Sequence, residues 1–102
     1  MGLGAAFSEE VLIDADGLVG PMGFKTYLLP RADDVPHIEL GHRCTPAPHS
    51  PTGAKGVGEA GFSGALAAAM NAVNDAIRPL GGRLDRTPMT PVAVLDALGT
   101  TS

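Results

Sequence analysis

A glycine-rich stretch in the middle of the chain, Gly53–Gly61, carries the residues best suited to chemistry. Glycines at positions 53, 56, 58 and 61 let the backbone adopt positive φ angles and approach a ligand closely. A helical pattern follows at once, and the free N–H groups and positive dipole end of a helix favour an anion such as a phosphate. On spacing alone, the stretch is as consistent with a ligand-binding loop as with a flexible connector.

Two known phosphate-binding loops can be compared with this stretch. A P-loop requires Lys and then Ser or Thr after its last glycine, whereas Glu59 and Ala60 follow Gly58. Residues 56–61 match the dinucleotide fingerprint G-x-G-x-x-G, but that fingerprint follows a buried strand and leads to a second strand ending in an acid. Here a proline-rich segment precedes the loop and an Ala-rich helical pattern follows it. The sequence therefore excludes a P-loop and disfavours a Rossmann fold.

Glu59 is the only acid in the glycine loop, and its position allows two roles. As a carboxylate in the first turn of a helix it would favour the helix dipole, which is the commoner role for such a residue. As a general base it would accept a proton from a substrate bound beside the loop. The position of Glu59 leaves both roles open.

The remaining reactive side chains form weaker patterns. His42, Cys44 and His49 provide three soft ligands at a spacing unlike the paired ligands of a structural zinc site, so we expect no metal site there. Nothing near Cys44 identifies a base that would make its thiol a nucleophile. Lys55 is suited to contact a phosphate, although solvation is the ordinary outcome for a lysine, and Tyr27 is expected to pack.

The elements that must position the glycine loop lie mainly on its C-terminal side. Apolar residues recur at steps of three and four and predict a helix over residues 62–78. The recurring residues are Phe62, Leu66, Met70, Val73 and Ile77. Alanines cover much of the remaining helix surface, so we expect burial on more than one side. Thr90 followed by Pro91 is typical of a helix start and predicts a second helix over residues 90–98.

The N-terminal part predicts short strands and extended chain. Residues 1–40 begin with a short helix end, and a β-branched run then meets the turn composition of Asp14–Gly17, which predicts a hairpin. Residues 35–40 alternate enough to predict an edge strand. Three prolines within residues 41–52 predict an extended segment, either a flexible tether or chain laid over another surface. The predicted fold class is α+β.

Composition limits the classes of function. The chain has 102 residues with 14 Gly, 9 Pro and no Trp, and only 4% are aromatic. So few large apolar side chains build a poor core, and we expect the chain to fold as part of something larger. A net charge of −4 argues against nucleic acid as a partner. No stretch resembles a membrane span or a secretory signal, so we expect a soluble, cytoplasmic protein.

The segment Gly53–Gly61, with the sequence GAKGVGEAG, closely resembles the last active-site segment of the molybdenum hydroxylases. This is the family of xanthine dehydrogenase, aldehyde oxidase and aerobic carbon monoxide dehydrogenase. Residues 9–17 resemble the strand and turn after a late helix of the family's molybdopterin subunit, and residues 45–48 resemble its lead-in to the glycine loop. The family pattern F-x-x-Y-x-x-P-x-x-x-D-x-P is matched by Phe24, Tyr27, Pro30, Asp34 and Pro36.

The resemblance implies a site and its cofactors. The family's matching Glu is the general base, and Glu59 would take that role in hydroxylating an electron-poor carbon of a small organic substrate, with water as the oxygen source. Lys55, Gly56, Val57 and Gly58 would lie along molybdopterin, in its plain or its cytosine dinucleotide form. Iron–sulfur clusters and FAD would lie on partner chains or domains.

The family's molybdopterin subunits are several times longer than this chain. The resemblance therefore implies that residues 1–102 are a single C-terminal fragment of a larger molybdopterin-binding domain, not an independent fold. The chain would be the small part of a split subunit or a truncation, inactive without a larger molybdopterin-subunit chain. Two alternatives stay open, a non-catalytic structural or assembly subunit of such a complex and a free-standing module that binds a phosphate or nucleotide.

Overall fold

The regular structure of the chain, seen in a computed structural model that describes residues 1–20 and 23–100, is mainly helical. Helix α1 spans Gly2–Phe7, α2 spans Ala60–Ile77 and α3 spans Pro91–Ala97, and a 3₁₀ helix, Arg78–Leu80, extends α2. The sequence predicted α2 over residues 62–78, and it begins two residues earlier, directly after Glu59. Within these ranges no helix is long and apolar enough to cross a membrane.

Helix α3 begins in the way that Thr90 and Pro91 predict. The hydroxyl of Thr90 accepts a hydrogen bond from the N–H of Ala93 at 3.2 Å, and Pro91 occupies the first helical position. The first N–H groups of a helix have no partner within it, so a capping hydroxyl satisfies one of them and a proline removes another. These two residues therefore fix the start of α3.

A small apolar core joins the three helices. Its buried members are Ala6 of α1, Ile77 of α2, and Leu84 and Met89 of the connection between α2 and α3. Partly buried side chains packed against them include Leu66, Met70, Val73, Val94 and Leu98. This core anchors α2, the helix that follows Glu59.

Asn74 of α2 holds the connection between α2 and α3 in place. Its Nδ2 donates to the carbonyl of Leu84 at 2.8 Å and to the carbonyl of Met70 at 3.1 Å. Its Oδ1 accepts a hydrogen bond from the N–H of Leu84 at 2.8 Å. One side-chain amide thus pairs with both backbone groups of Leu84, as a neighbouring strand would.

Residues 8–59 contain less β-structure than the sequence predicted. The predicted hairpin is present as one antiparallel bridge, between Ile13 and Val19, with its turn at residues 14–17. Residues 35–40, predicted as an edge strand, are not paired with any other described segment. That prediction is wrong because an edge strand needs a neighbouring strand and none lies beside it. The described residues thus contain helices and one bridge, and the detailed α+β arrangement is not confirmed.

Two side-chain hydrogen bonds tie the segment after the hairpin to the end of α1. The hydroxyl of Tyr27 donates to Oε2 of Glu9 at 2.8 Å, and the hydroxyl of Ser8 donates to the carbonyl of Leu28 at 2.9 Å. The hydrogen bond to the Glu9 carboxylate raises the pKa of Tyr27 above its usual value, since this bond is lost when the phenol ionises. Tyr27, expected to pack, thus also serves as a hydrogen-bond donor.

The chain is more extended than a compact domain of its length. Its radius of gyration is 17.7 Å, whereas a compact domain of 100 residues has about 13 Å. No large side chain in the described part is fully buried. Large apolar side chains lie exposed instead, among them Phe24, Leu40 and Val57. The small core is therefore formed by the helices and by the connection between α2 and α3, and residues 8–59 supply none of its buried members.

Candidate active site

Two successive β-turns precede the glycine loop. The carbonyl of Ala47 accepts a hydrogen bond from the N–H of Ser50 at 3.3 Å, and the carbonyl of Ser50 accepts one from the N–H of Gly53 at 3.0 Å. Each turn has a proline, Pro48 or Pro51, at its second position, where the fixed φ of proline is favoured. A further hydrogen bond, from the N–H of Ala47 to the carbonyl of Gly53 at 3.0 Å, closes the segment.

This closed turn corrects the expectation of an extended segment over residues 41–52. Residues 47–53 fold back on themselves because their prolines are spaced so that each begins a new turn. Gly53 ends the turn with a φ of +71°, and a Cβ at this position would lie 3.0 Å from Cβ of Pro46. Only glycine adopts that backbone region freely. Gly53 therefore fixes the backbone conformation at the start of the glycine loop.

The side chain of Lys55 bonds back to the segment before the turn. Its Nζ donates a hydrogen bond to Oγ1 of Thr45 at 3.0 Å, and both residues are exposed. An ammonium has three donor hydrogens, so two remain for other acceptors. Sequence reasoning missed Thr45 as a supporting residue, and the signal that points to it is the pair of turn-forming prolines between it and Lys55.

The backbone of the glycine loop has unused hydrogen-bond donors. The N–H of Ala54 contacts Oγ1 of Thr52 at 3.4 Å, and the N–H of Ala60 donates to the carbonyl of Val57 at 3.2 Å. Between these positions, the N–H groups of residues 55–59 donate to no other residue that the structure describes. A run of free donors beside a helix start is able to bind the acceptor atoms of a ligand.

The chain's own conformation does not require glycine at positions 56 and 58. Neither Gly56 nor Gly58 has a positive φ, and a Cβ built on either would have no atom within 4 Å. Glycine loses more conformational freedom on folding than any other residue, so its use at such positions has a cost. The open space beside this exposed backbone, together with its free N–H groups, allows a ligand with acceptor atoms to approach the loop closely.

Glu59 occupies the N-cap position of α2, at the end of the glycine loop. Its side chain makes no capping hydrogen bond, unlike the short Ser, Thr, Asp and Asn side chains that usually cap helices. Its carboxylate is exposed and has neither a hydrogen bond nor an ion pair with the rest of the described chain. The carboxylate is therefore free to accept a proton from a ligand bound at the loop.

The soft ligands before the loop are not brought together. Residues 1–20 and 23–100 contain no group of three or more His, Cys, Asp or Glu side chains able to hold a metal ion. His42, Cys44 and His49 are all exposed. The candidate site therefore consists of residues 55–59, with Thr45 as its support.

The sequence of the chain is similar to one segment of a much longer protein. No protein-family profile matches the chain. Over 96 residues it is 38% identical to the nicotine 6-hydroxylase large subunit of Paenarthrobacter nicotinovorans. That alignment covers 94% of the chain and 12% of the large subunit. The chain therefore spans only a small part of the length of this relative.

The fold is similar to segments of two solved structures. Quinoline 2-oxidoreductase from Pseudomonas putida 86 matches with a TM-score of 0.86 and 35% identity, over 96% of the chain and 13% of the solved chain. The Cu,Mo-CO dehydrogenase in its carbon monoxide reduced state matches with a TM-score of 0.82 and 35% identity, over 95% of the chain and 13% of the solved chain. An extended chain with a small core thus has the shape of one segment inside larger proteins.

Proposed function

The chain belongs to the molybdenum hydroxylase family, in which it matches a C-terminal segment of the large subunit, and we propose that Glu59 is the general base of such an enzyme. One observation supports this role above the others. Glu59 lies at the N-cap of α2, yet its carboxylate has no capping bond and no other partner in the described chain. A carboxylate without a partner in the described chain is available to a ligand bound at the loop.

Residues 55–58 are proposed to hold molybdopterin, in its plain or its cytosine dinucleotide form. Their free N–H groups would donate to the phosphate and pterin acceptor atoms, and Gly56 and Gly58 leave space beside the backbone. The two remaining donors of Lys55 suit the phosphate charge. When bound, the molybdenum cofactor supplies the two-electron redox chemistry, and iron–sulfur clusters and FAD on other chains or domains would carry the electrons away.

Glu59 is proposed to move a proton. Hydroxylation with water as the oxygen source converts R–H and H₂O into R–OH, two protons and two electrons. The carboxylate of Glu59 accepts one of these protons while the oxygen of water is transferred to the electron-poor carbon of the substrate. The start of α2 fixes the backbone position of Glu59, and the bound substrate and cofactor would orient its carboxylate. A neutral carboxamide at position 59 would be unable to take up the proton.

This role requires the larger remainder of the large subunit. The chain aligns with 12% of its relative, and its radius of gyration of 17.7 Å exceeds the roughly 13 Å of a compact domain. A free-standing nucleotide-binding module would need the compact form. A non-catalytic structural subunit would also bind a larger partner chain. The two hypotheses differ in whether Glu59 takes part in catalysis.

The test is the substitution Glu59→Gln in the complete enzyme, with molybdenum content and turnover measured on the same preparation. The substrates to test are nicotine, quinoline and carbon monoxide, for which the similar proteins are named. Loss of turnover with molybdenum retained supports the catalytic role. Loss of molybdenum or of assembled protein, with turnover per molybdenum unchanged, supports the structural role instead.

A further inference from the structure

The hairpin at residues 11–20 exposes apolar side chains on both faces. Val11, Ile13 and Val19 lie on one face and are 54%, 65% and 59% exposed, and we call these three residues the valine–isoleucine face. Leu12 and Leu18 lie on the other face and are 63% and 65% exposed. A two-stranded hairpin is at best marginally stable in water, and antiparallel sheets normally bury at least one face. The hairpin therefore lacks part of its sheet.

The hydrogen bonds of the hairpin identify a free edge. The N–H of Asp14 donates to the carbonyl of Leu18 at 3.0 Å, and the N–H of Gly20 donates to the carbonyl of Leu12 at 2.9 Å. These bonds flank Ile13 and Val19, which makes them a non-hydrogen-bonded pair. The backbone groups of Ile13 consequently point away from Val19.

Val11 lies two residues before Ile13 and presents its backbone on the same outer edge. No hydrogen bond joins the backbone of Val11 or Ile13 to another residue of the described ranges. Unpaired backbone groups of this kind are a template for pairing with another strand. The outer edge at Val11 and Ile13 is thus able to receive a further strand.

We propose that a short extended strand from the remainder of the large subunit pairs with this outer edge, with apolar side chains that pack beside those of Val11 and Ile13 on the valine–isoleucine face. This proposal rests on the proposed function, in which the chain works inside a larger subunit. The nicotine 6-hydroxylase large subunit aligns with this chain over only 12% of its length. The remainder of such a subunit is long enough to supply the strand.

The charges around the edge argue against a second copy of this chain as the occupant. Antiparallel self-pairing centred on Leu12 would place Val11 opposite Ile13 and, one step further out, Glu10 opposite Asp14. Like charges directly opposite each other destabilise a strand pair. A strand with apolar residues opposite Val11 and Ile13, and without acids at its ends, avoids this repulsion.

Amide hydrogen exchange at single-residue resolution on the complete enzyme tests the proposal. We expect the amides of Val11 and Ile13 to exchange at least about 100-fold more slowly than in an unstructured peptide. The amides of Asp14 and Gly20, which bond within the hairpin, are the internal controls. Exchange of Val11 and Ile13 within about tenfold of the unstructured rate overturns the proposal, whether or not the control amides are protected.

A pair of proline substitutions gives a second test. Ile13→Pro removes the outward N–H, and we expect at least about a tenfold loss of assembled, molybdenum-containing enzyme. Ala15→Pro removes an N–H that no described residue accepts, at a turn position that favours proline, and should assemble normally. Equal assembly of the two variants overturns the proposal, as does a native mass showing two copies joined through Val11 and Ile13. Protected Val11 and Ile13 amides with an active Glu59→Gln enzyme would instead refute only the catalytic role of Glu59.

Discussion

Lys55 and Thr45 are joined by a hydrogen bond of 3.0 Å from Nζ to Oγ1, although ten residues separate them in sequence. The turn at residues 47–53 brings them together, and the bond ties the glycine loop to the segment before it. The backbone N–H groups of residues 55–59 have no partner in the described chain. In the proposed enzyme, the position of the loop beside the cofactor would therefore depend on this bond and on the turn.

Thr45→Val should slow the complete enzyme without emptying its cofactor site. Valine keeps the shape of threonine but removes the hydroxyl that accepts from Lys55. A hydrogen bond contributes about 1 kcal/mol net, which corresponds to roughly a fivefold lower turnover if the loop must be held for reaction. Thr52→Val is the matched control, because the Thr52 hydroxyl makes contacts of 3.4 Å only. Equal turnover of the two variants would show that the bond does not position the loop.

Alanine substitutions should separate the glycines that the turn needs from those that the cofactor needs. Gly53→Ala forces a φ of +71° on alanine and places Cβ 3.0 Å from Pro46, so it should destabilise the turn by about 1 to 2 kcal/mol. Gly56→Ala and Gly58→Ala meet no atom of this chain within 4 Å. Both should leave the yield of assembled protein unchanged and lower its molybdopterin content, measured as bound pterin and molybdenum. Full cofactor content in both variants would refute the proposed cradle.

Asn74→Ala should loosen the connection that packs Leu84 and Met89 into the core. The substitution leaves both backbone groups of Leu84 without their partner and costs about 2 kcal/mol. Exchange of the amides between residues 81 and 90 should therefore rise roughly thirtyfold in the complete enzyme. Asn71→Ala, on the same helix at a position with no hydrogen-bonded side chain, should leave these rates unchanged. Similar exchange in the two variants would show that Asn74 does not hold the connection.

We expect the folded protein to lose stability at high pH, where the phenol of Tyr27 ionises. The hydrogen bond to Glu9 raises the pKa of Tyr27 in the folded protein, so the unfolded chain loses its phenol proton first as the pH passes about 10. The stabilisation from the hydrogen bond between Tyr27 and Glu9 is fully present below that pH. It is lost as the pH rises through the pKa of Tyr27 in the folded protein. The unfolding temperature of the wild type should fall more steeply than that of Tyr27→Phe as the pH rises above about 10. Parallel curves would contradict the prediction.

The parts of the structure that depend on local spacing were predictable from sequence. The apolar steps of three and four indicated α2, and Thr90 with Pro91 indicated the start of α3. The turn between Ile13 and Val19 followed from its Asp and Gly content. Each of these signals lies within a few residues of the element it forms, so the chain itself contains all the information.

The parts that depend on distant partners were not predictable. Residues 35–40 have the alternation of a strand, but alternation does not show which strand would pair with them. Asn74 and Leu84, like Thr45 and Lys55, meet only because the intervening chain folds back. At the candidate site, Glu59 and its glycines were identified by type and spacing, whereas the free state of the carboxylate required coordinates.

Turnover per bound molybdenum in the complete Glu59→Gln enzyme tests the central claim most directly. Removal of a general base typically costs about 10²- to 10⁴-fold in rate, so turnover should fall at least about 100-fold while molybdenum content stays at the wild-type level. Glu10→Gln, which changes an exposed acid without a hydrogen-bonded side chain, should remain close to wild type. Wild-type turnover per molybdenum in Glu59→Gln would contradict the assignment of Glu59 as the base.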